Sequence, residues 1–322
     1  MKFAAAVFLF CLGLIPAMGQ GALGKLPRVS VNGQVYVPLQ EWGRANNFEL
    51  RWLGKEDLQL GGQSNKVHFT VNSQKAEING VGISLSLPVA ARNGAGYIAL
   101  LDLQTAVHPI LFPRKGTGSV RVVCLDPGHG GKDPGNLDGK NQEKKYTLLL
   151  AQEVASMLKE AGIRTIFTRS SDRFIELPSR PEVANRNRAD LFLSLHFNSA
   201  PVKSVSGIEV YCLTPAGASS TNARGEGASA RNFPGNAQNE KNVLLAYELQ
   251  RSLLRRLSAE DRGVHRARFS VLRDARMPAV LVEGGFMTHA AEGRKLATAS
   301  YRQEMARAIV LGVEGYRRIV EQ

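Results

Sequence analysis

Four side chains in this sequence stand where chemistry can be done: His129, Glu143, His196 and Glu283. His129 lies in "DPGHGGKDPG", Asp126 to Gly135, directly after the apolar run Val122 to Leu125. Glycines lack a Cβ, so the chain can turn sharply there and let something approach its backbone. Such a loop suits an anion held by main-chain N–H groups or a metal held by the imidazole. His196 closes the run "LFLSLH" and Glu283 closes "AVLVE", while Glu143 falls in the first turn of the helix after the glycine loop. Two imidazoles, a carboxylate and a spare carboxylate are the parts of a hydrolytic zinc site: three protein ligands, an open position for water, and a base nearby. In that arrangement His129, Glu143 and His196 hold the metal, and Glu283 takes a proton from water and returns it to a leaving amine. The glycines after His129 and Glu283 are expected to leave room for an extended substrate. Each signal alone has a plainer meaning, a structural histidine or a helix-dipole partner. Glu283 is harder to dismiss, because burying a carboxylate at a strand end is costly unless something pairs with it.

These residues need a frame that brings strand ends together, and residues 121–320 supply one by alternating strands with helices. "RVVCLD" precedes the helical stretch "EKKYTLLLAQEVASMLKEAG", whose apolar residues from Tyr146 to Ala161 recur at helical spacing, with Gly162 as the stop. "IRTIFTR" is a strand. Ser179 and Glu182 form a capping-box pattern that should open a helix through Ala189. "DLFLSLH", "GIEVYCL" and "AVLVEGG" read as apolar strands, and "NVLLAYELQRSLLRRL" and "YRQEMARAIVLGVEGYRRI" as helices. The expected fold class is α/β, a mainly parallel or mixed sheet covered by helices on both faces. Ligands gather at the carboxyl ends of strands in such sheets, where the four residues fall.

Residues 26–113 differ: short alternating runs separated by Asn-Gly and Gly-Gly turns predict a small β-rich domain. It repeats weakly, "VNGQVYVPLQEWGRANNFEL" paralleling "RNGAGYIALLDLQTAVHPIL", each a turn, a strand and a short helix. His68 and His108 in it are isolated and form no copper cluster. A linker is expected at residues 114–120, inside "FPRKGTGSVR". At the other end, Lys2, the apolar run Phe3 to Ile15 and Ala17-Met18-Gly19 read as a signal peptide over residues 1–19, with a retained signal anchor as the plainer alternative, and nothing later resembles a membrane span. Its removal leaves Cys124 and Cys212, both in apolar strands and expected as buried thiols. The net charge of +13, one less once Lys2 leaves with the signal, favours in an exported chain an anionic surface, a cell-wall polymer or acidic lipid head groups, and arginines without interleaved aromatics argue against nucleic acid.

"LDPGHGGKDPG", "EKKYTLLLA", "ADLFLSLHFNSA" and "GVHRARFSVLRDARMPAVLVEGGFMTH" resemble, in that order, the zinc-dependent N-acetylmuramoyl-L-alanine amidases of the AmiC-like type. Residues 26–113 similarly resemble copper amine oxidase N-terminal-like domains. The first resemblance puts the family's metal ligands at His129, Glu143 and His196 and its catalytic glutamate at Glu283. It implies cleavage of the amide between N-acetylmuramic acid and the L-alanine of the stem peptide, with peptidoglycan as substrate, a location in the periplasm or cell envelope or outside the cell, and an activator protein as a candidate partner. Two other readings use the same residues: a wall-binding relative without turnover, and a zinc peptidase acting on another wall peptide bond.

Around the site, Asn198 is read either as a hydrogen-bonding group near metal or substrate or as a turn former, Arg273 either on a substrate carboxylate or carbonyl or in a surface ion pair, and Asp126 either orienting His129 or capping the turn. Some division amidases carry an inhibitory helix in the region between "YCLTPAG" and "NEKNVLLAY". Here that segment is rich in Gly, Ala, Ser and Asn, and a flexible substrate-side loop is expected instead.

Overall fold

The structure, a computed structural model, describes residue 23, residues 26–222 and residues 225–322. The expected signal peptide lies outside the described residues. In the N-terminal region the strands are β1 (Val29–Val31), β2 (Gln34–Pro38), β3 (Glu49–Trp52), β4 (Asp57–Gly61), β5 (Lys66–Thr70), β6 (Lys75–Ile78), β7 (Val81–Ser84), β8 (Ala90–Arg92) and β9 (Ala95–Ala99). The internal repeat is visible in the fold. Hairpins β1–β2 and β8–β9 turn on Asn32-Gly33 and Asn93-Gly94, all four residues at positive φ as a tight two-residue turn requires. β2 and β9 then pair in the middle of a four-stranded sheet. Helix α1 (Leu39–Ala45) follows β2, and α2 (Leu100–Asp102), a π-helical turn (Leu103–Val107) and α3 (His108–Leu111) follow β9.

The C-terminal region contributes β10 (Val122–Pro127), the short hairpin β11 (Leu137–Asp138) and β12 (Asn141–Gln142), β13 (Arg164–Phe167), β14 (Leu191–Asn198), β15 (Ile208–Leu213), β16 (Asp261–Ala267) and β17 (Ala279–Phe286). Helices α4 (Glu143–Glu160), α5 (Ser179–Arg186), α6 (Asn239–Leu257), α7 (Ser270–Arg273), α8 (Ala290–Leu296) and α9 (Ala299–Glu321) are interleaved. Strands β13, β10, β14 and β17 are parallel neighbours, whereas β15 runs antiparallel to β17 and β16 runs with β15. The mixed sheet expected from sequence is therefore present. Chain length explains the reversal: the link from Asn198 to Ile208 is shorter than the dozen or so residues a parallel return needs. Gly162, at φ 73°, ends α4 as expected. Ser179 does not cap α5; Pro178 holds the cap position without a side-chain bond, Ser179 is the first helical residue, and the helix stops at Arg186 before Ala189.

Alternation sorts each strand's residues onto two faces. Leu191, Leu193, Leu195 and Phe197 of β14, with Val280 and Val282 of β17, pack into the larger core, together with residues of α4, α6 and α9. Phe192, Ala279, Leu281, Tyr211 and Leu213 face the opposite side with residues of α5 and α7. Cys124 and Cys212 are buried free thiols, on strands separated by β14 and β17. One sheet of eleven strands crosses the expected linker, because β7 pairs in parallel with β16 at Ile83 and Val264. The joint is close: a Cβ at Gly263, φ 90°, would lie 2.9 Å from the Gly82 carbonyl oxygen, and Gly82 N–H donates to Asp261 at 2.7 Å.

Candidate active site

The same alternation puts His196 and Glu283 on the thinly covered face, at the carboxyl ends of adjacent parallel strands and in register with each other. Beyond β10 the chain turns through the glycine loop, where His129 takes φ 62°, a left-handed conformation uncommon outside glycine. α4 begins at Glu143, whose first-turn position returns its carboxylate to this edge. Glu143 Oε2 lies 3.1 Å from His129 Nε2 and Oε1 lies 2.9 Å from His196 Nδ1. Donor atoms of the three residues all fall within 4.8 Å of one another, a group able to hold a metal ion. Glu143 is 1% exposed and the two histidines 24% and 17%, so the group is anchored inside and open outside.

Burial alone would raise the Glu143 pKa, yet hydrogen bonds and charge from His129 and His196 hold it well below the usual carboxylate range. Two backbone donors complete its shell, Asn136 N–H at 2.9 Å and Phe197 N–H at 3.1 Å. Glu283 is the opposite case. Its Oε2 is enclosed and has no hydrogen-bond partner among the described residues, and burial, then the charges of Glu143 and Glu209, raise its pKa well above that of an ordinary glutamate.

The glycines act differently from the expectation that they clear a path for substrate. A Cβ at Gly128 would sit 2.2 Å from the His196 ring, and one at Gly135 would sit 2.6 Å from the His129 ring and 2.7 Å from Glu143 Oε2. At Gly130, Gly131 and Gly284 it would strike Arg173, Phe174 and Met305, and at Gly285 it would meet Glu292 in ordinary contact. They make room for the site's own side chains and walls.

Asp126 does not orient His129. It is fully buried beneath the loop, where Arg180, Thr168 and Ser194 donate to it at 2.9, 2.6 and 2.7 Å. Asp133 orients His129 instead, with Oδ2 2.8 Å from Nδ1, leaving Nε2 toward the cluster. Arg169 and Arg180, both buried, grip the loop by its carbonyls: Arg169 donates to Pro127 at 2.9 Å and Gly128 at 2.7 Å, Arg180 to Pro127 at 3.0 Å and His129 at 2.9 Å. Asn198 lies at the edge, but its amide donates to Glu209 at 2.6 Å. Arg273 is not brought to the cluster. It follows β16, which runs opposite to β17, and so lies at the other edge of the sheet with its guanidinium over Phe233. The described part of the segment after β15 is at that edge too, tied down by Thr221 N–H to the Arg266 carbonyl and by Arg268 to Gly227. It is not a substrate-side loop.

The sequence pattern of the family described as N-acetylmuramoyl-L-alanine amidase matches residues 123–315, which contain the whole cluster. The chain belongs to that family. Residues 22–108 match the copper amine oxidase N-terminal domain. Among curated relatives, amidase AmiA of Escherichia coli is 36% identical over 226 residues, covering 63% of this chain and 78% of its own length. An uncharacterised Bacillus subtilis protein, YqiI, is 35% identical over 196 residues, 61% of this chain and 84% of its own. Among solved structures, amidase AmiC2 of Nostoc punctiforme matches with TM-score 0.52 and 33% identity, over 63% of this chain and 99% of that one. The catalytic domain of CwlV, an amidase of Paenibacillus polymyxa, matches with TM-score 0.52 and 30% identity, over 62% and 99%. These two solved chains are matched over 99% of their length by the part of this chain that holds the cluster; in the N-terminal region, His68 lies 3.7 Å from Asp57 and His108 packs among Trp42 and Phe112.

Proposed function

We propose that this amidase-family chain is an exported peptidoglycan hydrolase that cleaves the amide between N-acetylmuramic acid and the L-alanine of the stem peptide, using zinc held by His129, Glu143 and His196. The observation that carries the reading is the convergence of those three donors beside a carboxylate, Glu283, whose Oε2 has no hydrogen-bond partner among the described residues. Two nitrogens and one carboxylate oxygen suit zinc, and they leave a fourth position open. The fit is supported by the space that Gly128 and Gly135 leave around the donors and by Asp133 behind His129. Zinc bound there supplies Lewis acidity, polarising the scissile carbonyl and lowering the pKa of water toward neutrality.

The chain's own residues do the rest. Burial and the nearby charges of Glu143 and Glu209 raise the proton affinity of Glu283 above that of an ordinary glutamate, which suits a group that must accept a proton from water and deliver it to the departing alanine nitrogen. The carbonyl grips of Arg169 and Arg180 hold the His129 loop still, so no reorganisation is needed during the reaction. Export follows from Lys2 and the apolar run Phe3 to Ile15. Among the described residues no helix is long and apolar enough to cross a membrane. Product analysis on purified sacculi tests the reading: intact stem peptides and peptide-free glycan are expected, and cleavage within the stem peptide instead would replace the amidase assignment with that of a peptidase.

A further inference from the structure

Next to Glu283 stands a second carboxylate, Glu209 of β15, its direct cross-strand partner and itself buried. Its oxygens are fully engaged. Asn198 Nδ2 and the Tyr211 hydroxyl donate to Oε1 at 2.6 and 2.9 Å, and Arg262 Nε donates to Oε2 at 3.0 Å. Arg262 comes from the start of β16, one strand farther from Glu283 on the same edge. Its guanidinium is held at three points: Nε on Glu209, Nη1 on the Ser206 carbonyl at 3.4 Å, and the Phe286 ring, whose centroid lies 5.1 Å from Cζ.

A guanidinium carries five N–H donors. Two are used here, and the remainder have no partner among the described residues while the side chain is 33% exposed. A cation needed only to neutralise Glu209 does not require this much fixing of an outward edge. A rigid, outward-facing fork is instead suited to bidentate capture of a planar oxyanion, with little ordering left to do on binding. We propose that Arg262 is a specificity-determining residue that binds a carboxylate of the stem peptide; this rests on the amidase reading above. Two strand spacings separate the two backbones, roughly 10 Å or about three extended residues, and the Arg262 side chain shortens that span by leaning back onto Glu209 of β15 and Phe286 of β17. The matching group is the free α-carboxylate of the second stem residue, a glutamate joined to its successor through its side chain.

The test compares two soluble muramoyl-peptides that differ only in whether the second-residue α-carboxyl is free or a primary carboxamide. The wild-type protein is expected to favour the free acid by about tenfold in kcat/KM, the size of one charge-assisted contact, with the difference carried by KM. Arg262→Gln is expected to cleave the amidated peptide and to bring the ratio near one. Arg262→Lys keeps a charge beside Glu209 but loses the fork, and its ratio should fall several-fold even if the glutamine variant folds poorly. A wild type indifferent to amidation, or a ratio unchanged in both variants, would overturn the assignment. Wild-type cleavage of neither peptide would instead remove the amidase reading itself, and this inference with it.

Discussion

At the scale of single residues, the decisive fact is that His129 is held from behind. Its left-handed backbone, the Asp133 carboxylate on Nδ1 and the absence of a Cβ at Gly135 all serve to point Nε2 at Glu143. Asp133→Asn should therefore fold normally and lose metal affinity by about 10- to 100-fold, the usual cost of removing such a partner. Competition with a chelator while following bound zinc measures it, and unchanged affinity would show the contact to be incidental. Asp133 sits four residues after His129 in the glycine loop and was open to selection from sequence, but Asp126 equally so. Only the structure separates them, because Asp126 turns inward to Arg180. Glu209 was hidden differently: in "GIEVYCL" it reads as one polar residue in an apolar strand, and its meaning depends on which strand pairs with β17.

At the scale of elements, the parallel strands and their helices were legible because apolar runs, Gly162 and the turn residues each carry a local cause. The direction of β15 was not read, although the short link before it contains the answer. Because β15 runs antiparallel to β17 and β16 runs with β15, Arg273 and the segment after "YCL" fall at the edge opposite the cluster. The loop over β10 depends on a buried pair that no local pattern announces. Removing Arg180 leaves Asp126 charged in the interior, so Arg180→Met should cost about 3–5 kcal/mol in denaturant unfolding. A loss under 1 kcal/mol would contradict the account of the loop. In the helix layer, Glu248 of α6 is buried beside Arg251, Arg255 and Arg318, and burial outweighs those charges to raise its pKa. A carboxyl whose folded pKa exceeds its unfolded value is favoured while protonated and loses stability as pH rises from the unfolded pKa through the folded one. Glu248→Gln should accordingly gain on the wild type in melting temperature between pH 4 and pH 7. A constant difference across that range would refute the assignment.

At the scale of the whole molecule, the N-terminal module is continuous with the catalytic sheet through β7 and β16, whose Arg262 and His265 lie close to Glu209. His265 also reaches Ser84 of the module, with Oγ 3.1 Å from Nδ1. The module thus packs on the strand that supplies the outer wall of the site. The charge of +13 suits an anionic surface. The most direct measurement of the central claim is zinc content and muropeptide cleavage for the protein beside its Glu283→Ala variant. About one zinc per chain in both, with stem peptide released only by the parent, is the result predicted by a three-residue ligand set and a separate glutamate that moves protons. Loss of the metal from the variant, or cleavage retained without Glu283, would contradict it.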